Sequence, residues 1–171
     1  MDSTRLKNKI IAKVITRLPF LSGRFIDSYS PWESDDVPWT HVTKPLNDSK
    51  IAIVTTAGVH HTDQVSFDMK DKNGDPSYRV IDSSRSLSEL TITHNYYDHT
   101  NASRDINIIF PIERLWEFER EGFIGKVADR HYGLMGHIDG HHIYALVNAT
   151  APEIARGLRE DNVDAVLLTP G

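Results

Sequence analysis

The 171-residue sequence contains no cysteine, which excludes disulfides, thiolate metal sites and a cysteine nucleophile among these residues. No stretch approaches the roughly 20 consecutive apolar residues that span a bilayer. The opening MDSTRLKNKIIAKVITRLPF lacks the apolar core and small-residue cleavage site of a secretory signal, so the expected location is cytoplasmic, with no membrane partner. A basic excess is missing as well: 19 Lys and Arg stand against 24 Asp and Glu, for a formal net charge of -5. The basic residues are scattered, which argues against a nucleic-acid partner. There is no Walker loop, no GxGxxG and no GxSxG, so phosphate-cradle and serine-hydrolase readings lose their main support.

What the chain does contain fits one α/β domain over 1–171. Leu6, Ile10, Ile11, Val14, Ile15 and Leu18 fall at spacings of three and four, which predicts an amphipathic helix over 1–19 ended by Pro19. From 20 to 49 the chain is rich in Pro, Trp and Asp and reads as an extended arm. The sheet core occupies 50–171. Its first strand, Lys50 to Val59, is almost continuously apolar, as in a parallel strand buried on both faces.

Shorter strands are expected at Tyr78–Ile81, Glu89–Thr93, Ile143–Val147 and Val163–Leu168. Helices are expected over IERLWEFERE, closed by Gly122, and over Asn148–Arg159, with Thr150 as N-cap and Pro152 in the first turn. Strands alternating with helices predict a mostly parallel, Rossmann-like or flavodoxin-like sheet with flanking helices, whose C-terminal part is expected to be missing.

The chemistry lies in nine histidines, gathered at His60–His61, in THNYYDHT (His94 to His99) and in RHYGLMGHIDGHH (His131 to His142). Imidazole serves both proton transfer near neutral pH and metal ligation. A zinc site would need three or four of them to converge, with Asp98 or Asp139 as oxygen ligands; no HExxH or comparable spacing supports this, and no metal is assigned. His94, Asp98 and Asp105 are the acid–base candidates, because a carboxylate beside an imidazole fixes its tautomer and raises its basicity. Thr55, Thr56 and His60 at the end of the first strand are binding candidates, since ligands in open α/β sheets sit outside the strands' carboxyl ends. Arg79 is a candidate carboxylate anchor.

Several blocks together resemble the selenoprotein B family of glycine, sarcosine and betaine reductases and the selenoprotein subunit of D-proline reductase. They are PWTHVTKPL, IAIVTTAGVH, FDMKDKNGDPSYRVI, THNYYDHTNASRDINIIFPIERL, EGFIGKVADRHYGLMG and VDAVLLTPG, in order over most of the chain. The resemblance implies an oxidoreductase that reductively cleaves a carbon–nitrogen bond next to a carboxylate in an amino-acid or betaine-type substrate. Its nucleophile would be a selenocysteine just after the strand Val163–Leu168, so the chain is expected to stop immediately before the reactive residue and to be inactive as it stands. The cofactor implied is a pyruvoyl group on a partner subunit, and electrons would come from a thiol redox protein. His60, Arg79, His94, Tyr97, Asp98, Asp105 and Asn107 match the family's polar blocks. An incomplete sheet also predicts homo-oligomers. The competing reading is a non-catalytic module that binds a small molecule or metal in a histidine-rich pocket.

Overall fold

The computed structural model describes residues 40–170 together with Ile10 and Val14. The helix expected over 1–19 and the arm over 20–39 therefore lie outside the described residues, apart from Ile10 and Val14, which are helical and exposed. No described helix is long and apolar enough to cross a membrane.

The architecture is a mixed α/β sheet, mostly parallel, with helices on both faces. Strand β1 (Lys50–Thr55) is its centre. On one side β1 pairs in parallel first with β5 (Lys126–Val127), then with β6 (Arg130–Leu134). On its other side it pairs in parallel with β7 (Ala165–Thr169) over the whole of Ile51 to Thr55. Strand β3 (Tyr78–Asp82) closes the β6 edge in antiparallel register. A small antiparallel pair, β2 (Val59–His61) with β4 (Leu90–Ile92), stands beside the main sheet.

Alternation along β1 separates two cores. Ile51 and Ile53 pack with Ile112 and Leu115 of helix α1 (Ile112–Arg120), together with Phe110, Val59 and Ile81. Val54 turns the other way, onto Tyr132, Leu134 and Ile154. Ile154 belongs to α3 (Ala151–Glu160), which continues α2 (His142–Ala145) through a π-helical turn, Leu146–Thr150. The connection from β1 through α1 to β5–β6 and the connection from β6 through α3 to β7 run in opposite directions along the sheet. Right-handed crossovers of opposite direction put their helices on opposite faces, as found here. Each fully buried Ile of β1 contributes about 1.5–3 kcal/mol relative to exposure.

Three local expectations need correction. The run Lys50 to Val59 is two strands, not one, because Gly58 has φ +75 and ends the extended path; a Cβ there would also sit 2.4 Å from the Thr93 carbonyl oxygen. The segment Ile143–Val147 is helical, since it continues directly into α3. Thr150 does not cap α3: its own backbone is helical (φ -60, ψ -51), and its hydroxyl donates to the Pro76 carbonyl at 2.7 Å. Before α1, Ile106–Ile108 forms a short 3-10 turn.

Strands β5 and β6 do not stand out in the sequence, because KVADRHYGL mixes charge with apolar residues. The break between them is filled by a side chain. His131 Nδ1 accepts the Ile53 N–H at 2.8 Å, in the place of a ladder carbonyl. At the start of β6, Arg130 forms two 2.6 Å hydrogen bonds to the Asp161 carboxylate and so ties the strand to the end of α3.

Candidate functional site at the carboxyl edge of the sheet

Strands β1, β6 and β7 end side by side. Just beyond β1, the Thr56 N–H donates to the Thr169 carbonyl at 2.9 Å, and the Gly58 N–H donates to the Leu134 carbonyl at 2.8 Å. The Ile109 carbonyl accepts two hydroxyls, from Thr55 at 3.0 Å and Thr169 at 2.7 Å, which anchors the loop before α1 beneath this edge. Thr55 is fully buried, whereas the next residue, Thr56, is exposed on the rim. Gly136, just past β6, backs directly onto the Thr56 carbonyl.

The segment from His94 to His99 folds against this edge. His94 is 7% exposed; its Nδ1 accepts the Tyr96 N–H at 3.0 Å, and the ring also bonds the main chain of Met135, the residue after β6. With Nδ1 acting as acceptor, the proton resides on Nε2. Burial first, then the neighbouring His137 and His99, push the His94 pKa down to about 4, so the ring is uncharged at neutral pH. Tyr97 packs its ring 4.6 Å from His94 and donates its hydroxyl to the Ala57 carbonyl at 3.0 Å; burial raises its pKa. Tyr96 stacks on His137, centroids 4.1 Å apart and 31° from parallel, and its pKa is raised by burial and by the Asp71 carboxylate. The rim thus offers a neutral imidazole, protonated phenols and an exposed hydroxyl. Of these, the exposed Thr56 hydroxyl and the Tyr96 phenol can donate hydrogen bonds to an anionic ligand, whereas the His94 ring and the Tyr97 hydroxyl are already engaged by the backbone.

The other residues singled out in the sequence are placed as follows. His60 is 1% exposed, with Nδ1 on the His61 carbonyl (2.7 Å) and Nε2 on the Thr93 hydroxyl (2.8 Å), so both ring nitrogens are engaged inside β2–β4. The Arg79 guanidinium lies over the Phe67 ring at 4.4 Å and donates to the Val65, Tyr78 and Ser66 carbonyls and the Ser77 hydroxyl. Asp98 accepts from the Thr100 N–H and hydroxyl. Asp105 caps the Ile106–Ile108 turn through the Asn107 N–H at 3.0 Å and also accepts the Asn107 side-chain amide at 3.0 Å; the side-chain bond first, then the backbone one, hold its pKa below the usual carboxylate range, and Asn107 in turn bonds Glu113 at the start of α1. Asp105 and Asn107 line a cleft of about 480 Å³ with Arg104 and Thr91, whose walls do not include His94 or Asp98. The structure therefore gathers Thr56, His94 and Tyr97 at the sheet's edge and sets Asp105 and Asn107 in a different cleft. Tyr96 and His137 were not singled out one by one; the glycines before the latter, Gly133 and Gly136, mark where backbones press together and are the signal that could have found it.

The sequence matches, over residues 9–171, the family described as glycine/sarcosine/betaine reductase selenoprotein B. It is 42% identical to D-proline reductase subunit gamma from Acetoanaerobium sticklandii over 133 residues, 78% of this chain and 53% of that protein. It is 35% identical to glycine reductase complex component B subunit gamma from Symbiobacterium thermophilum over 138 residues, 79% of this chain and 31% of the relative. With betaine reductase complex component B subunit beta from Peptoclostridium acidaminophilum the identity is 31% over 154 residues, 87% of this chain and 34% of the relative. The chain thus spans about half the length of the first of these relatives and about a third of the others. No solved structure matches it.

Proposed function

Because the chain belongs to the glycine/sarcosine/betaine reductase selenoprotein B family, we propose that it forms the α/β scaffold of a reductase-complex subunit that cleaves the carbon–nitrogen bond of an amino-acid or betaine-type substrate. D-proline is the first substrate to test, since the 42% identical relative is a D-proline reductase subunit. The nucleophile in this reading is a selenocysteine at the position after Gly171. A selenol, ionised at neutral pH, would supply the attack on the substrate's α-carbon.

The observation that carries the proposal is the 2.9 Å hydrogen bond from the Thr56 N–H to the Thr169 carbonyl. It fixes the end of β7 against the rim formed by Thr56, His94 and Tyr97. Three residues of extended chain reach at most about 10 Å, so a residue three positions beyond Thr169 stays within reach of that rim. There the exposed Thr56 hydroxyl and the Tyr96 phenol would hydrogen-bond the substrate carboxylate, while Tyr97, bonded to the Ala57 carbonyl, and the buried, neutral His94 would hold the His94–His99 segment in place. A pyruvoyl-bearing partner subunit and a thiol redox protein complete the proposal. Val166, Leu167 and Leu168 lie on β7, which pairs only with β1 among the described strands; they are 38%, 38% and 72% exposed, which supports association with further protein.

The test starts from the codon after Gly171. A UGA followed by an open frame, selenium located at residue 172 by mass spectrometry, and dithiol-dependent reduction of D-proline, glycine, sarcosine or betaine only with that residue present are the expected results. A UAA or UAG codon with no continuing frame would overturn the assignment of the nucleophile.

A further inference from the structure

We propose that Asp71, His141 and His142 bind one divalent transition-metal ion of the zinc type, in a site that no step of the reductase reading uses and that does not depend on that reading. Among the described residues, one oxygen of Asp71 and one ring nitrogen from each histidine all lie within 4.8 Å of one another. Donors around a tetrahedral zinc with bonds of about 2.0–2.1 Å stand about 3.4 Å apart. Closing the set therefore requires side-chain movement of about an ångström, which the exposed His141 ring can supply by rotation.

Three features distinguish this group from an ordinary ion pair. The first is redundancy: His142 Nε2 already meets Asp71 Oδ2 at 2.9 Å, yet a second imidazole lies on the first, centroids 4.0 Å apart. The second is outer support: the Asn73 side-chain amide N–H₂ donates to His141 Nδ1 at 3.1 Å, and the Asn73 backbone N–H donates to Asp71 Oδ1 at 2.9 Å, so one residue holds two of the three side chains.

The third is preorganisation. The ligands come from two loops that are pinned to each other: the Asp139 N–H donates to the Asn73 carbonyl at 2.8 Å, Gly74 bridges Ile138, and His137 Nε2 meets the Lys72 carbonyl at 2.9 Å. Gly74 makes this approach possible, since it has φ +87 and a Cβ there would lie 1.6 Å from the His137 carbonyl oxygen. Loops already fixed in the binding geometry lose little conformational freedom on taking up a ligand.

The donor chemistry selects the ion. Two imidazoles and one carboxylate, without thiolate, suit Zn²⁺, Co²⁺ or Ni²⁺ and disfavour Ca²⁺ and Mg²⁺, which prefer all-oxygen sites. Three protein ligands leave positions open for water or an anionic oxygen, as in catalytic rather than structural zinc sites.

The experiment is a titration of the metal-free 171-residue chain with ZnCl₂ by calorimetry. Co²⁺ absorption serves as a second readout and far-UV circular dichroism as a check on folding. One equivalent is expected to bind, with a rise in melting temperature at saturating metal. Asp71→Asn keeps a hydrogen-bond acceptor toward the Asn73 N–H and tests the charge; His141→Ala and His142→Ala test the nitrogens. Each is expected to weaken binding beyond the roughly 10–100-fold that loss of an outer-shell partner costs, while His41→Ala, at an exposed histidine outside the cluster, leaves it unchanged. Absence of a saturable single equivalent, or equal affinity in folded Asp71→Asn and the unchanged chain, overturns the proposal.

Discussion

Acidification should unfold this protein well before its carboxylates are protonated, and two histidines account for it. His94 and His131 are 7% and 0% exposed, and burial pushes both pKa values from 6.5 to about 4. In the unfolded chain both regain the ordinary value and bind protons near pH 6.5. The unfolded state thus holds more protons than the folded one between about pH 6.5 and 4, and stability must rise with pH across that window. The contribution is complete above pH 6.5 and is lost as pH falls toward 4. A displacement of this size corresponds to about 3 kcal/mol per histidine, so at pH 4.5 the pair should have cost on the order of 5 kcal/mol, comparable to the whole stability of a small domain. Urea denaturation at pH 7.5, 6.5, 5.5 and 4.5 measures this directly. His131→Asn keeps an acceptor for the Ile53 N–H while removing the titration, and should roughly halve the dependence on pH between 6.5 and 4.5. A urea midpoint that stays flat over that range, or an unchanged slope in His131→Asn, refutes the reasoning.

Neighbouring threonines should behave oppositely: Thr55→Val removes the buried hydroxyl bonded to the Ile109 carbonyl and should cost about 1–3 kcal/mol in denaturant, whereas Thr56→Val on the exposed rim should stay within about 0.5 kcal/mol. If the proposed reductase activity is reconstituted, Thr56→Val should raise the KM for substrate, and an unchanged KM would remove Thr56 from the binding rim. Gly58→Ala should lower the melting temperature by several degrees, because it adds left-handed strain of about 1–2 kcal/mol to a contact 2.4 Å from the Thr93 carbonyl oxygen; a melting curve like that of the unchanged chain contradicts this. Arg79→Lys should lose the fork of contacts to Ser77, Tyr78 and Ser66 and destabilise by about 1.5–3 kcal/mol, read as a shifted urea midpoint.

Where the chain announced its elements, hydrophobic period was enough. The apolar run of β1, the amphipathic α1 and the strand β7 each appear within a few residues of their expected places: β1 and α1 bury their apolar side chains, and β7 keeps a strand's apolar run although Val166, Leu167 and Leu168 are exposed. What the pattern concealed is β6, the strand that makes the sheet parallel on both sides of β1. Its buried residues include His131 and Gly133, neither of which registers as apolar. Both are there for backbone reasons: one supplies an acceptor to the Ile53 N–H, and the other admits the Val59 carbonyl, which a Cβ would meet at 2.1 Å. Local propensity failed at Ile143–Val147 for a different reason. That β-branched and aromatic stretch takes up helix because it continues into α3, whose Ile154 closes the core around Val54, and tertiary packing outweighs a propensity difference of well under 1 kcal/mol per residue.

The candidate site was legible only to the level of doublets. Thr55–Thr56, His60–His61, Tyr96–Tyr97 and His141–His142 are each conspicuous as a pair of chemically capable residues, and composition cannot say which member does what. Backbone geometry decides. Along a strand, successive side chains point to opposite faces, so Thr55 enters the core and Thr56 meets the rim. In β2 the same alternation sends the His60 ring to Thr93 and Phe67 and the His61 ring to the Asp82 N–H at 3.0 Å, and neither reaches solvent. In the loop after β4, the backbone gives Tyr97 a main-chain acceptor and leaves Tyr96 to stack on His137. The pair at the start of α2 differs, since its rings lie one on the other beside a single carboxylate rather than parting. Where alternation separates a doublet, one member at most can be chemical. Where the backbone fails to separate it, as at His141–His142, both members become available to the same ligand, and that is the physical reason for testing metal there before anywhere else in the molecule.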